Sequence, residues 1–283
     1  MKNYYLHFFK DKTTNFNYAN LMDFFHDQDG FEIVYPEGRA VIQYTHPTTG
    51  YTCLYEITQK SIIGNISDLD PAYLDANFHL EIPLLTPSYI VKKYLDFVKV
   101  ICNQFRLFVY SEFFQDVMDY SFDTIDHSFK IAKGTFEKKI PDMMSVYHKI
   151  MPERLNQILR YEEEAPQLLS YYAGQDIIVP KYVFLEENHK KIILAIELTD
   201  GSAIVIPPNT NYILYSSNGL KLIDAVEFIK QHPRLFAEVP GFIKGTKVSV
   251  LKHTKKLHKL LKKVKDKQSK DSFNQVELKY LMD

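Results

Sequence analysis

Few residues in this sequence have the spacing that catalysis requires. Asp126, His127 and Ser128 carry the side-chain types of a hydrolytic triad. Adjacent residues of a helix point about 100° apart, however, whereas a triad needs side chains that converge from separate elements. Glycine-rich phosphate loops, the G-x-S-x-G nucleophile elbow and the H-E-x-x-H metal motif are absent, and only 10 of 283 residues are glycine. The sequence therefore indicates no catalytic residue and leaves open whether the protein is an enzyme.

Three further groups of polar residues have the types needed for metal binding or acid–base chemistry. Asp68 and Asp70, with Asp75 nearby, form an Asp-x-Asp loop whose carboxylates suit a divalent cation, although such loops more often cap nearby backbone. Glu162–Glu164 lie at a predicted helix end, where a solvated face is the simpler interpretation. His46 is the one histidine in a turn that we predict to be exposed. No cysteine or histidine pair has zinc-type spacing, so we predict no metal site and no cofactor.

The strongest chemical signal is an asymmetry of charge along the chain. Residues 244–283 contain 12 lysines and 4 acidic residues, whereas residues 1–243 contain 22 basic and 31 acidic residues. The formal net charge of the whole chain is only −1, so the average conceals a basic segment after an acidic one. Segments of this kind are typical of contacts with polyanions.

The basic segment has the pattern of an amphipathic helix. Val250, Leu257, Leu261 and Val264 fall near one side of this predicted helix, with Leu260 beside them. Lysines occupy most of the remaining surface. The candidate polyanion-binding residues are Lys252, Lys255, Lys256, Lys259, Lys262, Lys263, Lys265 and Lys267.

Three roles fit a lysine-rich amphipathic helix. It can fold back on the acidic part of the chain, bind nucleic acid or a ribonucleoprotein, or lie on an anionic membrane. The membrane is the least favoured partner, because the apolar stripe lacks Trp and Phe. The segment contains lysine and no arginine, which favours attraction to a phosphate backbone over recognition of bases.

The composition is that of a globular chain without disulfides. Hydrophobic residues are 46% of the sequence and charged residues 24%, enough apolar material for a substantial core. The two cysteines, Cys53 and Cys102, lie in apolar runs and are predicted to be buried free thiols. The N-terminal apolar run is too short for a signal peptide, and no stretch is long enough to span a membrane. We therefore expect a cytoplasmic protein.

The hydrophobic pattern of the first part of the chain predicts an antiparallel sheet with helices. Thr86 is the expected N-cap of the clearest helix, with Pro87 at its first position. The order of elements is loosely ferredoxin-like, with additions. The predicted strands are Tyr4–Phe9, Phe31–Tyr35, Ala40–Tyr44, Tyr51–Ile57, Phe78–Leu85 and Arg106–Tyr110, and the predicted helices are Asn17–Asp27 and Pro87–Phe105.

The rest of the chain is predicted to be helical first and then rich in strands. An amphipathic helix covers Phe122–Phe136, a second runs over Pro152–Glu164, and Pro166 begins a further turn of helix. After residue 176 the period changes to that of strands, and Thr199–Ser202 predicts a β-hairpin because Asp-Gly favours its turn. A helix over Leu220–Gln231, capped by Ser217 or Asn218, follows.

The predicted fold is α+β, with an antiparallel N-terminal sheet, a helical middle, a second small sheet and a basic C-terminal helix. The corresponding segments are 1–118, 119–175, 176–243 and 244–283. The leading functional prediction is a non-catalytic binding or adaptor protein whose lysine helix contacts a polyanion such as RNA or a ribonucleoprotein. The alternatives are an enzyme that acts on a small molecule or nucleic acid, and an acidic inhibitor or immunity-type partner of another protein.

Overall fold

The computed structural model describes residues 2–139, 146–187, 191–217, 219–266 and 273–283. The chain forms two compact units, residues 1–145 and residues 146–283, called unit 1 and unit 2 below. The described residues contain six α-helices and four sheets, so the predicted α+β class is confirmed. The helical segment predicted over residues 119–175 is shared between the units, one long helix falling in each.

Unit 1 is one sheet with three helices. Its elements are β1 Asn3–Asp11, α1 Tyr18–His26, β2 Phe31–Val34, β3 Arg39–Thr45, β4 Thr52–Thr58, β5 Tyr73–Pro83, α2 Ser88–Phe105, β6 Leu107–Tyr110 and α3 Phe122–Lys139. The strand order is β2-β3-β4-β5-β1-β6, and every neighbouring pair is antiparallel. The four strands β6-β1-β5-β4 place β1 between the last two strands of the unit, as in a ferredoxin-like β-α-β-β-α-β arrangement. Strands β2 and β3 extend this arrangement at one edge.

The core of unit 1 lies between one face of the sheet and the helices. Successive residues of a strand point to opposite faces, so Phe8 of β1 and Phe78 of β5 share a face and stack with ring centroids 4.5 Å apart. Phe25 of α1 packs against Phe78, and Tyr94 of α2 packs edge-on against Tyr44 of β3. The helices therefore cover the aromatic face of the sheet.

Both cysteines lie in this core as free thiols, as predicted. Cys53 belongs to β4 and Cys102 to α2, and both are buried. Burial raises the pKa of both thiols, to about 12 for Cys102, because a thiolate is poorly solvated in an apolar core. Both side chains are therefore uncharged packing groups at neutral pH.

The start of α2 differs from its prediction by one residue. Pro87 occupies the N-cap position and the helix begins at Ser88, without a side-chain cap. Pro87 has an extended backbone conformation, which suits the residue before a helix. Thr86 is therefore one residue too early to cap the helix, and its carbonyl instead accepts a hydrogen bond from the buried ammonium group of Lys133.

Unit 2 is built from short strands in several sheets. Its elements are β7 His148–Lys149, α4 Pro152–Tyr171, β8 Ile177–Ile178, β9 Val183–Glu187, β10 Lys191–Thr199, β11 Ala203–Ile206, β12 Tyr212–Ser216, β13 Leu220–Asp224, α5 Ala225–Gln231, β14 Phe236–Glu238, β15 Lys247–Ser249, α6 Thr254–Lys263, β16 Asn274–Val276 and β17 Leu281–Met282. The sheet orders are β13-β12-β10-β9-β16, β14-β15-β11-β8 and β17-β7. Each of these sheets contains one parallel pair.

The predicted Asp-Gly hairpin is wrong, although the turn is present. Strand β10 pairs with β9 and β12, whereas β11 pairs with β8 and β15 in another sheet. Gly201 has a φ of +99°, which glycine adopts without the steric cost that other residues pay. The turn therefore passes the chain from one sheet to the next. Long-range pairing has overridden the local hairpin preference.

Two predicted helices also differ from those observed. Helix α4 is continuous from Pro152 to Tyr171 and contains Pro166, which was expected to begin a separate turn. The helix predicted over Leu220–Gln231 is strand β13 followed by the shorter α5, whose N-cap is Asp224. All five residues of β13 pair with β12, and a local helix pattern does not reveal a strand partner of this kind.

The burial of α2 predicts a large difference between two substitutions on one helix. Leu95 is fully buried, whereas Val100 is 47% exposed. We expect Leu95→Ala to lower the free energy of unfolding by about 2–5 kcal/mol, because it removes apolar contacts and leaves a cavity. Val100→Ala should change it by less than about 0.5 kcal/mol. Urea unfolding followed by circular dichroism tests this, and equal midpoints for the two variants would contradict the packing of α2.

A second pair of substitutions tests hydrogen bonding in the core of unit 1. The buried Tyr4 hydroxyl lies 2.7 Å from the hydroxyl of Ser128, whereas the buried Tyr94 hydroxyl has no hydrogen-bond partner among the described residues. Tyr4→Phe should cost about 1 kcal/mol, because it removes a buried hydrogen bond. Tyr94→Phe should leave the stability equal or higher. Urea unfolding followed by circular dichroism measures both effects. A Tyr94→Phe variant less stable than the Tyr4→Phe variant would refute this description of the two hydroxyl groups.

Candidate functional site

The lysine-rich segment folds as part of unit 2. Only Thr254–Lys263 is helical, so α6 is shorter than the predicted amphipathic helix. Leu257 and Leu261 of the apolar stripe are fully buried. Val250 and Val264 lie just outside the helix and are partly buried. The apolar side of α6 is therefore packed within unit 2.

The buried His258 fixes α6 to the turn between β10 and β11. Its Nδ1 lies 3.3 Å from Oδ1 of Asp200 and 3.2 Å from the hydroxyl of Tyr215, on which the ring also stacks. Its Nε2 lies 3.1 Å from the backbone nitrogen of Gly201 and 2.8 Å from the carbonyl oxygen of Ser202. The ring is therefore held between the Asp200 carboxylate on one side and the backbone of Gly201 and Ser202 on the other.

Charged groups reinforce this contact at the end of the helix. Lys262 forms a 2.6 Å ion pair with Asp200. The hydrogen bond from Lys262, and then that from Tyr215, hold the pKa of the Asp200 carboxyl below its usual range. Lys221 donates to the carbonyl oxygen of Lys262, at the negative end of the helix dipole. The backbone N–H of Leu222 donates to Asp266 just beyond the helix.

The lysines of α6 point away from this buried side. At about 100° per residue, Lys255, Lys256, Lys259 and Lys263 fall within an arc of about 100°, opposite Leu257 and Leu261. These four residues, with the similarly exposed Lys252 and Lys265, are called the lysine face below. All six are exposed, and among the described residues none has an acidic partner within ion-pair distance. Lys262 is exposed but pairs with Asp200, and Lys267 lies outside the described residues.

Several of the remaining sequence candidates are engaged in local contacts. Asp70 accepts the backbone N–H of Ala72, and Asp75 accepts that of Asn77, so these carboxylates cap nearby backbone. Asp126 pairs with Lys130 on the same helix. In the described part of the chain, the acidic residues of the Asp-x-Asp loop do not converge on a metal-sized cluster.

Two predictions about exposure are wrong. His46 is buried, with its Nδ1 3.4 Å from the hydroxyl of Thr48. Glu162 is buried as well, and burial raises the pKa of its carboxyl. Glu164 accepts the backbone N–H of Ile243. At the helix end, residues distant in sequence contact the glutamates, because the backbone N–H groups of Tyr182 and Ile243 donate to Glu162 and Glu164.

Two cavities bring together residues whose proximity the sequence did not indicate. In unit 2, a cavity of about 490 Å³ is lined by the basic residues Arg154, Lys230 and Lys247. In unit 1, an aromatic cavity of about 380 Å³ is lined by the core residues Tyr55 and Tyr94, among others. The hydroxyls of both tyrosines are buried without a hydrogen-bond partner among the described residues.

The sequence also missed a cluster of metal-ligand types in unit 1. Glu56, His79 and Glu81 each offer a ligand atom, and these atoms lie within 4.8 Å of one another. Glu56 lies on β4, and His79 and Glu81 lie on β5, more than twenty positions later in the chain. In the sequence, only the i, i+2 spacing of His79 and Glu81 pointed to this cluster. That spacing shows that the two side chains share a face of the strand, but it does not reveal Glu56.

Because α6 packs on unit 2 through its apolar side, alanine substitutions on its two sides should affect the stability of the protein differently. Leu261→Ala should lower the free energy of unfolding by about 2–5 kcal/mol, because Leu261 is fully buried. Lys259→Ala, on the exposed side of the same helix, should change it by less than about 0.5 kcal/mol. Chemical unfolding followed by circular dichroism tests both. Equal stabilities would mean that α6 does not pack on unit 2.

Comparisons with known proteins were made for the whole chain. No family model matches it, and no curated protein or solved structure does. Among the described residues, no helix is both long enough and apolar enough to cross a membrane. The functional argument therefore rests on the geometry of this chain's own residues.

Proposed function

We propose that this protein is a non-catalytic binding protein that contacts RNA through the lysine face of α6. The observation that carries the proposal is the division of α6 into a packed apolar side and an exposed basic side. Leu257, His258 and Leu261 hold the helix to unit 2, so the lysines are presented from a folded surface. Lysines on an ordered helix lose less conformational entropy on binding than lysines on a flexible segment.

The charge of the lysine face supports a polyanionic partner. Four of the six exposed lysines lie in α6, and Lys252 and Lys265 flank it. Among the described residues, none of the six forms an ion pair with a carboxylate. Such a concentration of like charge is unfavourable unless salt or a partner screens it. Phosphates along a nucleic acid strand supply regularly spaced negative charge, and their neutralisation releases counterions.

The same geometry disfavours an anionic membrane as the partner. Amphipathic helices bind membranes by burying their apolar side among the lipid chains. In α6 that side is occupied, since Leu257 and Leu261 are buried in unit 2. The lysine face also contains no aromatic residue to insert at the interface. Lysine ammonium groups act as point charges, which suits the phosphate backbone better than the base edges.

A charge-neutralising variant tests the proposal. We expect the full-length protein to bind a fluorescein-labelled single-stranded RNA of mixed sequence, with affinity that falls steeply between about 50 and 200 mM NaCl. Replacing Lys255, Lys256, Lys259 and Lys263 by Gln should weaken binding at least about tenfold. It should also reduce the slope of log K against log salt by about 0.7 for each phosphate that the protein no longer neutralises. Fluorescence anisotropy measures both quantities.

The matched control removes the same charge elsewhere. Lys12, Lys60, Lys92 and Lys99 are exposed residues of unit 1, and their joint replacement by Gln should leave affinity within about twofold. Equal weakening in both variants would show a net-charge effect and refute the lysine face as the site. Absence of RNA binding at the lowest salt concentration, or preference for anionic vesicles over RNA, would refute the proposed function.

A further inference from the structure

The second face of the unit 1 sheet carries polar residues where the first face carries aromatic ones. Along β5, Phe78 faces the helices, and the next residue, His79, therefore points to the opposite side. Cross-strand pairing places Glu56 of β4 and His7 of β1 directly on either side of His79. Glu81 lies two residues further along β5 on the same face. Four groups able to bind a metal thus share one patch of three adjacent strands.

The distances within this patch suit a metal ion. Ligand atoms of Glu56, His79 and Glu81 lie within 4.8 Å of one another. Nε2 of His79 is 3.3 Å from Oε1 of Glu81. Two ligands held about 2.0 Å from a tetrahedral zinc ion are separated by about 3.3 Å. A hydrogen bond between His79 and Glu81 has the same length. Support for a metal site therefore also comes from the surroundings of the three side chains.

Neighbouring residues orient the two carboxylates. Asn3 donates to Oε2 of Glu81 over 2.7 Å, which leaves Oε1 directed at His79. Arg39 donates to Oε1 of Glu56 over 3.1 Å. Outer partners of this kind hold ligating carboxylates in position in metal sites.

The charge balance of the cluster favours an additional cation. The side chains of Glu56, Glu81 and His79 are only 12%, 15% and 3% exposed. Two carboxylates close together and largely removed from water repel each other and lose solvation. Arg39 supplies one positive charge, but its own side chain is 52% exposed.

His7 borders the cluster on the neighbouring strand β1. Its side chain is about nine-tenths buried, and its ring centroid lies 5.6 Å from that of His79. It lies outside the set of three residues whose ligand atoms are within 4.8 Å of one another.

His7 lines a cavity of about 260 Å³ together with Tyr5, Asn65 and Tyr110, among others. In the cluster beside it, two carboxylates and one imidazole supply the donor types that proteins use to bind zinc.

We propose that Glu56, His79 and Glu81 bind a divalent first-row transition metal ion of the zinc type as its three protein ligands. Mixed imidazole and carboxylate ligands favour such ions over Mg²⁺ and Ca²⁺, which prefer oxygen ligands alone. The site lies entirely within unit 1 and does not depend on the lysine face of α6.

Metal titration of the full-length protein tests this site. After treatment with EDTA and dialysis, calorimetric titration with ZnCl2 should show one ion bound per chain at micromolar or lower concentration, and MgCl2 at the same concentration should not compete. Co²⁺ in place of zinc should give visible absorption bands. His79→Gln, Glu81→Gln and Glu56→Gln should each weaken Zn²⁺ binding at least about tenfold, the range seen even when outer partners of metal ligands are removed.

Matched controls separate this site from adventitious binding to other histidines and carboxylates. His26 and Glu32 are exposed residues of the same unit, and His26→Gln and Glu32→Gln should leave the zinc affinity unchanged. If His79→Gln does not fold by circular dichroism, Glu56→Gln and Glu81→Gln decide the matter. Absence of a saturable one-to-one event, or equal affinity in the ligand and control variants, would overturn the proposal.

Discussion

The docking of α6 on the β10–β11 turn determines what unit 2 presents to its surroundings. Leu257 and Leu261 supply the apolar contact, and His258 supplies direction, because its two ring nitrogens meet opposite sides of the same turn. Hydrophobic burial alone would tolerate rotation of the helix about its axis. The buried imidazole, held between a carboxylate and backbone groups, allows one orientation, and the basic side consequently points outward.

Unit 1 shows a comparable separation of roles across a single sheet. Period-two alternation along β1 and β5 sends aromatic residues such as Phe8 and Phe78 to the helices and sends His7 and His79 to the other side. A shift in register by one residue would exchange the two sets and bury the charged groups in the aromatic core. Correct strand pairing is therefore a requirement both for the stability of the unit and for the polar patch.

Local patterns predicted the elements well where burial follows the period of the element. The strands of unit 1 and the buried face of α2 are of this kind. Prediction failed where the partner is distant in sequence. The Asp-Gly turn is present, but β10 and β11 pair with strands that local sequence does not specify. Glu56, His79 and His7 belong to three strands, so their convergence depends on sheet order, which side-chain types alone do not encode.

The pairing of β17 with β7 has a consequence for the order in which the chain acquires its structure. Residues 281–282 form a parallel pair with residues 148–149, so the first and last strands of unit 2 are hydrogen-bonded to each other. On the ribosome, unit 2 cannot complete this pair until residue 282 has been synthesised. The sheet of unit 1 has all its strands once residue 110 has emerged. The sheet of unit 1 can therefore pair completely before residues 281–282 are synthesised, whereas unit 2 needs those residues for its β7–β17 pair.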